Sequence, residues 1–476
     1  MSRQDAIDSA AHHFDSGTFR EELTRLVAVP TESHDPRQEP ELRRYLAEEV
    51  APRLDRMGFA VDIAENPVSA RHPFLVARRT EAEGLPTLLT YGHADVQPGH
   101  PDRWRAGLDP WQLTVEGERW YGRGVADNKG QHLVNLVALE HVIGQRQGSL
   151  GYNVVFLLET GEEFGSPGLA EFCEQERGRL LAADLLIGSD GPRVATDRPT
   201  VFLGSRGAVN FTLSLELREG SHHSGNLGGL LRNPGTVLAN AIACLVDDRG
   251  SIRVEGLRPA GIPDEVRRAL ADIPAGTDGP APDPGWGEPG LTPNERLFAW
   301  NTIEVLAMTT GQPDNPTNAI PGTARAHCQL RFVVGLEASD VEGELRKHLD
   351  EHGFDMVEVT ADYGMEATRL DPDNPWVRWT LDSLERTTGT TPALLPNLAG
   401  SLPNSAFSRG LGLPTVWVPH SYPGCSQHAP DEHLPAPLVR ESLQVMAGLF
   451  WDLAELSGLG TWPPQAPSSD GDGITP

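Results

Sequence analysis

The sequence predicts an α/β protein in which a mixed-sheet domain is interrupted by an inserted ferredoxin-like (βαββαβ) domain. Continuous apolar runs such as residues 154–158 are typical of strands buried on both faces of a sheet, and amphipathic helices lie between them. From residue 207 onward, strands instead alternate between apolar and polar residues, which indicates one wet face. A chain of 476 residues is also too long for a single core, so two domains are expected.

Composition and charge exclude several classes of partner and site. The formal net charge is -28, whereas binding to nucleic acid or to an anionic membrane requires an excess of Lys and Arg. The cysteines are scattered without a CxxC pair, which fits neither a disulfide framework nor a thiolate zinc site; they are Cys173, Cys244, Cys328 and Cys425. The N-terminus lacks a secretory signal and no apolar run reaches ~18 residues, so we expect a cytoplasmic protein without membrane spans.

The first part of the mixed-sheet domain begins with an amphipathic helix over 37–57. Its apolar residues are spaced by four with charges between them; they are Leu42, Leu46, Val50 and Leu54. Apolar runs then predict strands at 59–64, 74–79, 87–91, 154–158 and 184–188. An apolar-periodic helix begins near Gly130.

Polar residues follow three of these strands directly. His93 and Asp95 come just after strand 87–91, at the sheet edge where α/β proteins bind ligands. A histidine metal ligand needs a carboxylate or carbonyl to fix its tautomer, and Asp95 could provide this or could steady a metal centre indirectly. A turn with an incidental histidine is the alternative for this motif alone.

A glycine-rich loop presents one acidic residue before the helix near Gly130. Gly122 and Gly124 precede Asp127 in the segment GRGVADNKG. Such a loop could cradle a phosphate, but its spacing matches neither a P-loop nor GxGxxG. A tight loop that presents Asp127 to bridge two metal ions is the better interpretation.

Two adjacent glutamates and one aspartate complete the set. Glu162 and Glu163 follow strand 154–158, where they would repel each other unless a cation lies between them. A metal would let one carboxylate ligate while the other takes protons from a metal-bound water. A solvated pair in a surface loop is the alternative, but Asp190 repeats the pattern after strand 184–188. Histidine mixed with carboxylates suits zinc, manganese or cobalt better than calcium or magnesium.

The inserted domain is predicted over 207–373. Its elements are a strand at 207–217, a helix from Asn233-Pro234 to about 246, strands at 300–308 and 323–334, a helix at 340–352 and a strand at 355–361. A Pro/Gly-rich loop at 275–293 interrupts this order.

The mixed-sheet domain is therefore split into residues 1–206 and 374–462. Its second part has a helix at 375–387, a strand at 413–419, His428 beyond that strand and a helix at 437–457. The tail, 463–476, is rich in Pro, Gly and Ser and is predicted to be disordered.

Five spaced motifs occur in one order along almost the whole chain: GHADVQP, GRGVADNKG, ETGEEFGS, GSDGP and QHAPDEH. With these motifs the chain resembles the dinuclear metallopeptidase family of carnosinases and cytosolic dipeptidases, carboxypeptidase G, aminoacylases and succinyl-diaminopimelate desuccinylases. The resemblance implies two divalent metal ions, zinc first and manganese or cobalt as alternatives.

The resemblance also implies a role for each of the polar residues. His93 and Asp190 would hold one metal, Glu163 and His428 the other, and Asp127 would bridge them. Glu162 would be the general base that deprotonates the bridging water, and Asp95 would support the ligands from behind. Glu432 occupies a position that the family also uses, either in support of the metal centre or in contact with a substrate amine.

Substrate-binding residues and an oligomeric state follow from the same resemblance. In the family's dipeptidases an HSG motif places a histidine in the neighbouring subunit's active site, and His223 matches it. This implies a homodimer through the inserted domain. Arg331 matches a lid arginine that binds the substrate carboxylate, and Gly400-Ser401 resembles a substrate-contacting GGS loop in which Ala399 replaces the first glycine. An ordinary loop histidine and an ordinary surface arginine are the alternatives.

The expected activity is hydrolysis of a small amide bond, most of all in a dipeptide. Asp at position 190 and the HSG motif both resemble the dipeptidase branch. An N-acyl- or N-carbamoyl-amino-acid amidohydrolase with the same chemistry is the first alternative, and a catalytically silent binding protein is the second. No role is assigned to His132, His222, His327, His420 or His433.

Overall fold

A computed structural model describes residues 1–179, 181–274, 280–362, 364–458, 460 and 462–464. Most of the predicted disordered tail (463–476) and residues 275–279 of the predicted Pro/Gly-rich loop lie outside the described residues.

An eight-stranded mixed sheet, the central sheet, organises the larger part of the molecule. Its strands, in spatial order, are Ala60–Ala64, Phe74–Arg79, Asn153–Glu159, Thr87–His93, Leu185–Gly188, Thr415–Trp417, Thr200–Phe202 and Ala393–Leu395. Thr87–His93 pairs in parallel with both of its neighbours, whereas Phe74–Arg79 joins antiparallel. Both inner strands 87–93 and 153–159 are buried along their whole length, as their apolar runs predict. The mixed α/β fold predicted from the sequence is confirmed.

Helices cover both faces of the central sheet. They are Arg3–Asp15, Thr18–Val27, Lys129–Gln145, Leu169–Glu176, Pro375–Thr388 and Ala436–Gly458. A helical segment over 36–56 is divided into Pro36–Gln38 (3-10), Glu39–Arg44 (α), Tyr45–Val50 (π) and Ala51–Arg56 (α). Pro52 has no N–H to donate within this segment, which accounts for the change of helix type beside it. Two hydrophobic clusters fill the space between the helices and the two faces.

A four-stranded antiparallel sheet with two helices, here called the four-stranded unit (207–361), is inserted between the two parts of the central sheet. Its spatial order is Thr302–Thr310, Thr323–Phe332, Gly207–Glu216 and Glu358–Ala361. Along the chain, helix Pro234–Leu245 follows the first strand and helix Val341–Glu351 precedes the last. The side chains of Gly207–Glu216 alternate between buried and accessible, as predicted, and the buried ones belong to one hydrophobic cluster with residues of both helices. Asn233 caps the first helix by accepting the N–H of Gly235 at 2.9 Å.

The described part of the irregular segment predicted at 275–293, residues 280–292, contains neither helix nor strand. Helix Pro293–Ala299 begins at its end, where Thr292 and Glu295 form a capping box. Helix Asp264–Ala271 precedes it and was not predicted. Further short elements are Thr114–Glu116, Arg119–Tyr121, His222–His223, Ser224–Leu227, Ala319–Ile320 and His433–Pro435.

None of the four cysteines, all of which lie in the described residues, forms a disulfide. Among the helices that the structure describes, none is both long enough and apolar enough to cross a bilayer.

Candidate metal centre

Five polar side chains converge at the carboxyl edge of the central sheet. They form two groups whose ligand atoms lie within 4.8 Å of one another: His93, Asp127 and Asp190, and Asp127, Glu163 and His428. Asp127 belongs to both groups. Its Oδ1 lies 3.1 Å from His93 Nε2, and its Oδ2 lies 3.1 Å from His428 Nε2. Each oxygen of one carboxylate therefore faces a different group, which is the arrangement of a bridging ligand.

The first group is built on the end of strand Thr87–His93. His93 Nδ1 lies 3.0 Å from the Asp95 carbonyl oxygen, which can only accept, so Nδ1 carries the hydrogen and the Nε2 lone pair faces the group. Asp190 Oδ2 lies 3.5 Å from His93 Nε2 and, although buried, has no hydrogen-bond partner. An unsatisfied buried carboxylate oxygen is unfavourable by about 1–3 kcal/mol or more. The orphaned oxygen and the mixed imidazole and carboxylate donors fit a divalent cation.

The second group joins the turn after strand Asn153–Glu159 to a loop near the C-terminus. His428 Nε2 lies 3.2 Å from Glu163 Oε2, and Gln97 donates its amide N–H to the same oxygen at 2.7 Å. His428 has a φ of 61°, and Ser426 and Asp431 in the same loop also have positive φ. Left-handed backbone is unfavourable for residues other than glycine and is concentrated at functional sites.

Asp95 supports both groups from behind. Its side chain is fully buried, and its two oxygens accept the backbone N–H groups of Glu162 at 3.1 Å and Glu163 at 3.0 Å. One residue thus fixes the turn that presents the glutamate pair, and its carbonyl fixes the His93 ring. Asp95 itself belongs to neither ligand group.

Glu432 holds the glycine-rich loop in place. Its buried carboxylate accepts the N–H groups of Gly124 and Ala126, both at 2.9 Å, and of Asp127 at 3.1 Å, and Arg123 donates to it at 2.9 Å. Because both oxygens are occupied by these donors, the geometry favours support of the loop over contact with a substrate amine. The same bonds occupy the N–H groups that a phosphate cradle would require.

The glycines of this loop have a steric function. Gly124 has a φ of 82°, which glycine adopts without strain. A Cβ on Gly130 would lie 2.0 Å from the Val125 carbonyl oxygen. The loop can therefore turn this tightly only with glycine at these positions.

Burial, and to a lesser extent the neighbouring carboxylates, raises the pKa of three acidic groups in the site. Burial and the charge of Asp127 raise the pKa of Asp190 to about 6, although His93 opposes this. Burial and the neighbouring carboxylates also raise the pKa of Glu162 and of Glu163 well above the ordinary value. For Asp127, burial is outweighed by hydrogen bonds with His428 and His93, which lower its pKa. Without cations the site would bind protons, and divalent cations would supply the missing positive charge.

A cavity of about 410 Å³ opens beside the two groups. Its lining includes Glu162, Arg331, Gly400 and Ser401, so the structure brings the predicted substrate-binding residues to the metal centre. Arg331 donates to Ser401 Oγ at 2.8 Å, and Ser401 donates in turn to the Arg206 carbonyl oxygen at 2.7 Å. These bonds connect the four-stranded unit to the wall of the cavity.

His223 is not brought to the centre within one chain. It lies in the short strand His222–His223, is exposed, and accepts the N–H of Gly225 at 3.1 Å. The cavity lining does not include it. Its expected role in a neighbouring subunit's site therefore stays a prediction.

Sequence reasoning missed several residues that shape the site. Gln97, Met365 and Leu398 line the cavity. Gln97 stands four residues after His93 in the same segment, and this proximity is the signal in the sequence that could have identified it. His132 and His420, left without a role, are buried and hydrogen-bonded to Tyr45 and Ser189.

Comparison with known proteins assigns the chain to a family. The model of peptidase family M20/M25/M40 matches residues 89–452, which include all five members of the two ligand groups. The chain belongs to peptidase family M20/M25/M40.

Relatives within the M20/M25/M40 family cover most of the chain. Mouse Beta-Ala-His dipeptidase is 30% identical over 377 residues, which are 72% of this chain and 73% of that protein. The Cysteinylglycine-S-conjugate dipeptidase of Corynebacterium striatum is 26% identical over 85% of this chain and 88% of its own. Among solved structures, an M20 metallo-carboxypeptidase of Sulfolobus solfataricus has a TM-score of 0.79 at 25% identity, over 92% of this chain and 99% of that one.

We expect Glu432→Gln to weaken metal binding by about 10- to 100-fold, because loss of charge loosens the loop that presents Asp127. The measurement is a competitive titration of the purified protein against a metal chelator. Asp452→Asn is the matched control, since Asp452 is also buried and paired with arginine but lies in helix Ala436–Gly458. Equal metal affinity in Glu432→Gln and the wild type would contradict the supporting role.

We expect metal removal to destabilise the protein more as the pH rises from about 5 to about 8. The folded-state pKa of Asp190 is raised to about 6 and those of Glu162 and Glu163 are also raised. Stability from such groups is present below the unfolded pKa near 4 and is lost as the pH rises through the folded pKa. The measurement is the thermal midpoint of the loaded and the chelator-stripped protein at each pH.

In the loaded protein the cations would keep these carboxylates ionised, so the difference between the two midpoints should widen with pH. Asp127, whose pKa is lowered, should stay ionised across this range. A difference that is constant or narrows would show that the carboxylates are not protonated in the stripped protein.

Proposed function

We propose that the protein is a metal-dependent dipeptidase. One observation carries this proposal: the two oxygens of Asp127 face two separate ligand groups, and Glu162 lies beside them in the same cavity. The family membership and the dipeptidase names of the relatives support it. Asp190, by which the sequence resembles the dipeptidase branch, lies within the first group.

The residues of the two groups would hold the metal ions. His93 and Asp190 would hold one cation, Glu163 and His428 the other, and Asp127 both. When bound, two divalent cations supply Lewis-acid charge that lowers the pKa of water and stabilises negative charge on a substrate carbonyl oxygen. We propose zinc, with manganese or cobalt as substitutes, because imidazole and carboxylate donors suit these ions.

Glu162 is the proposed general base. It lines the cavity, and its Oε2 lies 4.0 Å from His93 Nε2. Burial and the adjacent carboxylates raise its pKa, which makes it a better proton acceptor than an ordinary glutamate. In this role Glu162 takes a proton from the attacking water and later gives it to the leaving amine of the cleaved peptide.

Arg331 is the proposed partner of the substrate carboxylate. Its guanidinium lies in the cavity and is held by Ser401 Oγ and by Gln329 Oε1 at 3.0 Å. A planar guanidinium can bind a carboxylate through two parallel hydrogen bonds. A cavity of about 410 Å³ has the size of small-molecule sites and suits a dipeptide better than a long chain. Gly400 and Ser401 would contact the same ligand.

We further propose that residues 207–373 form a ferredoxin-like lid inserted between the catalytic parts 1–206 and 374–462. The lid would also form a homodimer. Edge strand Thr302–Thr310 supports this, because Val305, Leu306 and Met308 are exposed by 43%, 59% and 42%. An exposed apolar edge strand is typical of a surface that pairs with another chain.

We expect Glu162→Gln to lower kcat for dipeptide hydrolysis by about 100-fold or more, since the amide cannot accept the proton. The measurement combines steady-state kinetics with metal content, which should remain at the wild-type level. Glu171→Gln, an exposed change on helix Leu169–Glu176, is the control and should have wild-type activity. Undiminished turnover in Glu162→Gln would refute the assigned base, and preference for N-acylated over free dipeptides would refute the substrate class.

We expect His223→Ala to be complemented by Glu162→Gln when the two inactive proteins are mixed. If His223 acts in the partner's site, a mixed dimer has one intact site, and a random mixture should regain about a quarter of wild-type activity. The measurement is dipeptide hydrolysis after the two variants exchange subunits. Activity no greater than the sum of the two variants alone would contradict action between subunits.

A further inference from the structure

A third group of metal-ligating side chains lies in the four-stranded unit, outside the two groups described above. It contains Cys244, His348 and His352, and one ligand atom of each lies within 4.8 Å of the others. Cys244 is in the last turn of helix Pro234–Leu245, whereas His348 and His352 stand four residues apart at the end of helix Val341–Glu351. That spacing puts both imidazoles on one side of the helix, and their ring centroids are 4.2 Å apart.

Backbone hydrogen bonds leave one ring nitrogen of each histidine available. His352 Nδ1 lies 2.7 Å from the His348 carbonyl oxygen, and His348 Nε2 lies 3.0 Å from the Cys244 carbonyl oxygen. A carbonyl oxygen only accepts, so each of these nitrogens carries a hydrogen. The lone pairs therefore lie on His352 Nε2 and His348 Nδ1. A backbone carbonyl that fixes the tautomer in this way is typical of metal-ligating histidines.

The surroundings of the group favour a cation. Helices Pro234–Leu245 and Val341–Glu351 both end here, and the C-terminal end of a helix has partial negative charge. Burial raises the pKa of the Cys244 thiol, whereas Arg253 lowers it. A soft divalent cation would displace the thiol proton and bind the thiolate.

We propose that Cys244, His348 and His352 form a further metal site for a borderline-soft divalent ion such as zinc or cobalt, which connects the two helices of the four-stranded unit. One thiolate with two imidazoles selects such ions over calcium and magnesium. Three protein ligands leave a fourth position for water at this half-exposed surface. Cys244 and His348 are separated by 104 residues, so no local sequence motif connects the cysteine with the two histidines.

Cobalt absorption tests the site separately from the catalytic centre. Cobalt bound to a thiolate has a charge-transfer band in the near ultraviolet, and neither of the other two ligand groups contains sulfur. The metal-stripped, full-length protein is titrated with Co²⁺. The band should appear in the wild type, disappear in Cys244→Ser, and be removed from the wild type by excess Zn²⁺. Dipeptide hydrolysis by Cys244→Ser should stay at the wild-type level.

A second variant and a control accompany Cys244→Ser in this experiment. His352→Gln changes an exposed side chain and should weaken the band by at least severalfold without affecting folding, which circular dichroism checks. His12→Gln, an exposed change on helix Arg3–Asp15, should leave the band unchanged. Absence of the band in the wild type, or its persistence in Cys244→Ser, would overturn the proposal.

Discussion

The structure depends on burying several carboxylates together at one edge of a sheet. Only two imidazoles, those of His93 and His428, lie among five acidic side chains of the site. These acidic residues are Asp95, Asp127, Glu162, Glu163 and Asp190. An uncompensated buried charge destabilises a fold by about 3–5 kcal/mol. A group of carboxylates this large therefore needs hydrogen-bond donors or cations to compensate its charge. Asp95 and Glu432 are satisfied by backbone N–H groups, and those bonds set the positions of the others. Asp190 and Glu163 accept one N–H each, from Gly191 at 2.6 Å and from Gln97 at 2.7 Å, and Asp190 Oδ2 has no partner. This incomplete satisfaction is why the site suits metal ions.

Sheet topology explains why residues distant in the sequence meet here. Strands Thr87–His93, Asn153–Glu159 and Leu185–Gly188 are neighbours and run parallel, so their carboxyl ends lie side by side. His93, the glutamate turn and Asp190 then share one edge without any long-range motif. Asp127 and His428 reach the same edge from two loops. The backbone of the Asp127 loop is held by hydrogen bonds to Glu432, and the His428 loop contains residues with positive φ.

The four-stranded unit completes the cavity through a short chain of polar contacts. Arg331, Ser401 and the Arg206 carbonyl form consecutive hydrogen bonds across the junction with the central sheet. Ser401 both donates and accepts in this chain, so it orients the guanidinium toward the cavity. A rotation of the four-stranded unit would move Arg331 relative to the two ligand groups and would change the shape of the cavity.

The sequence by itself determined the elements whose pattern is local. Burial determines the apolar runs of strands 87–93 and 153–159 and the alternation of strand 207–216. A hydrogen bond between near neighbours determines the cap at Asn233. Four of the five candidate ligands were predicted because they follow strand ends or a tight loop, and the fifth, His428, was predicted from the family resemblance. Tertiary structure alone decided that Glu432 supports the Asp127 loop and that Gln97 contacts Glu163. It also decided that His223 lies away from the candidate metal centre of its own chain, and that Cys244 lies close to His348. These contacts join residues on separate elements, and their formation depends on how those elements pack, which local periodicity does not encode.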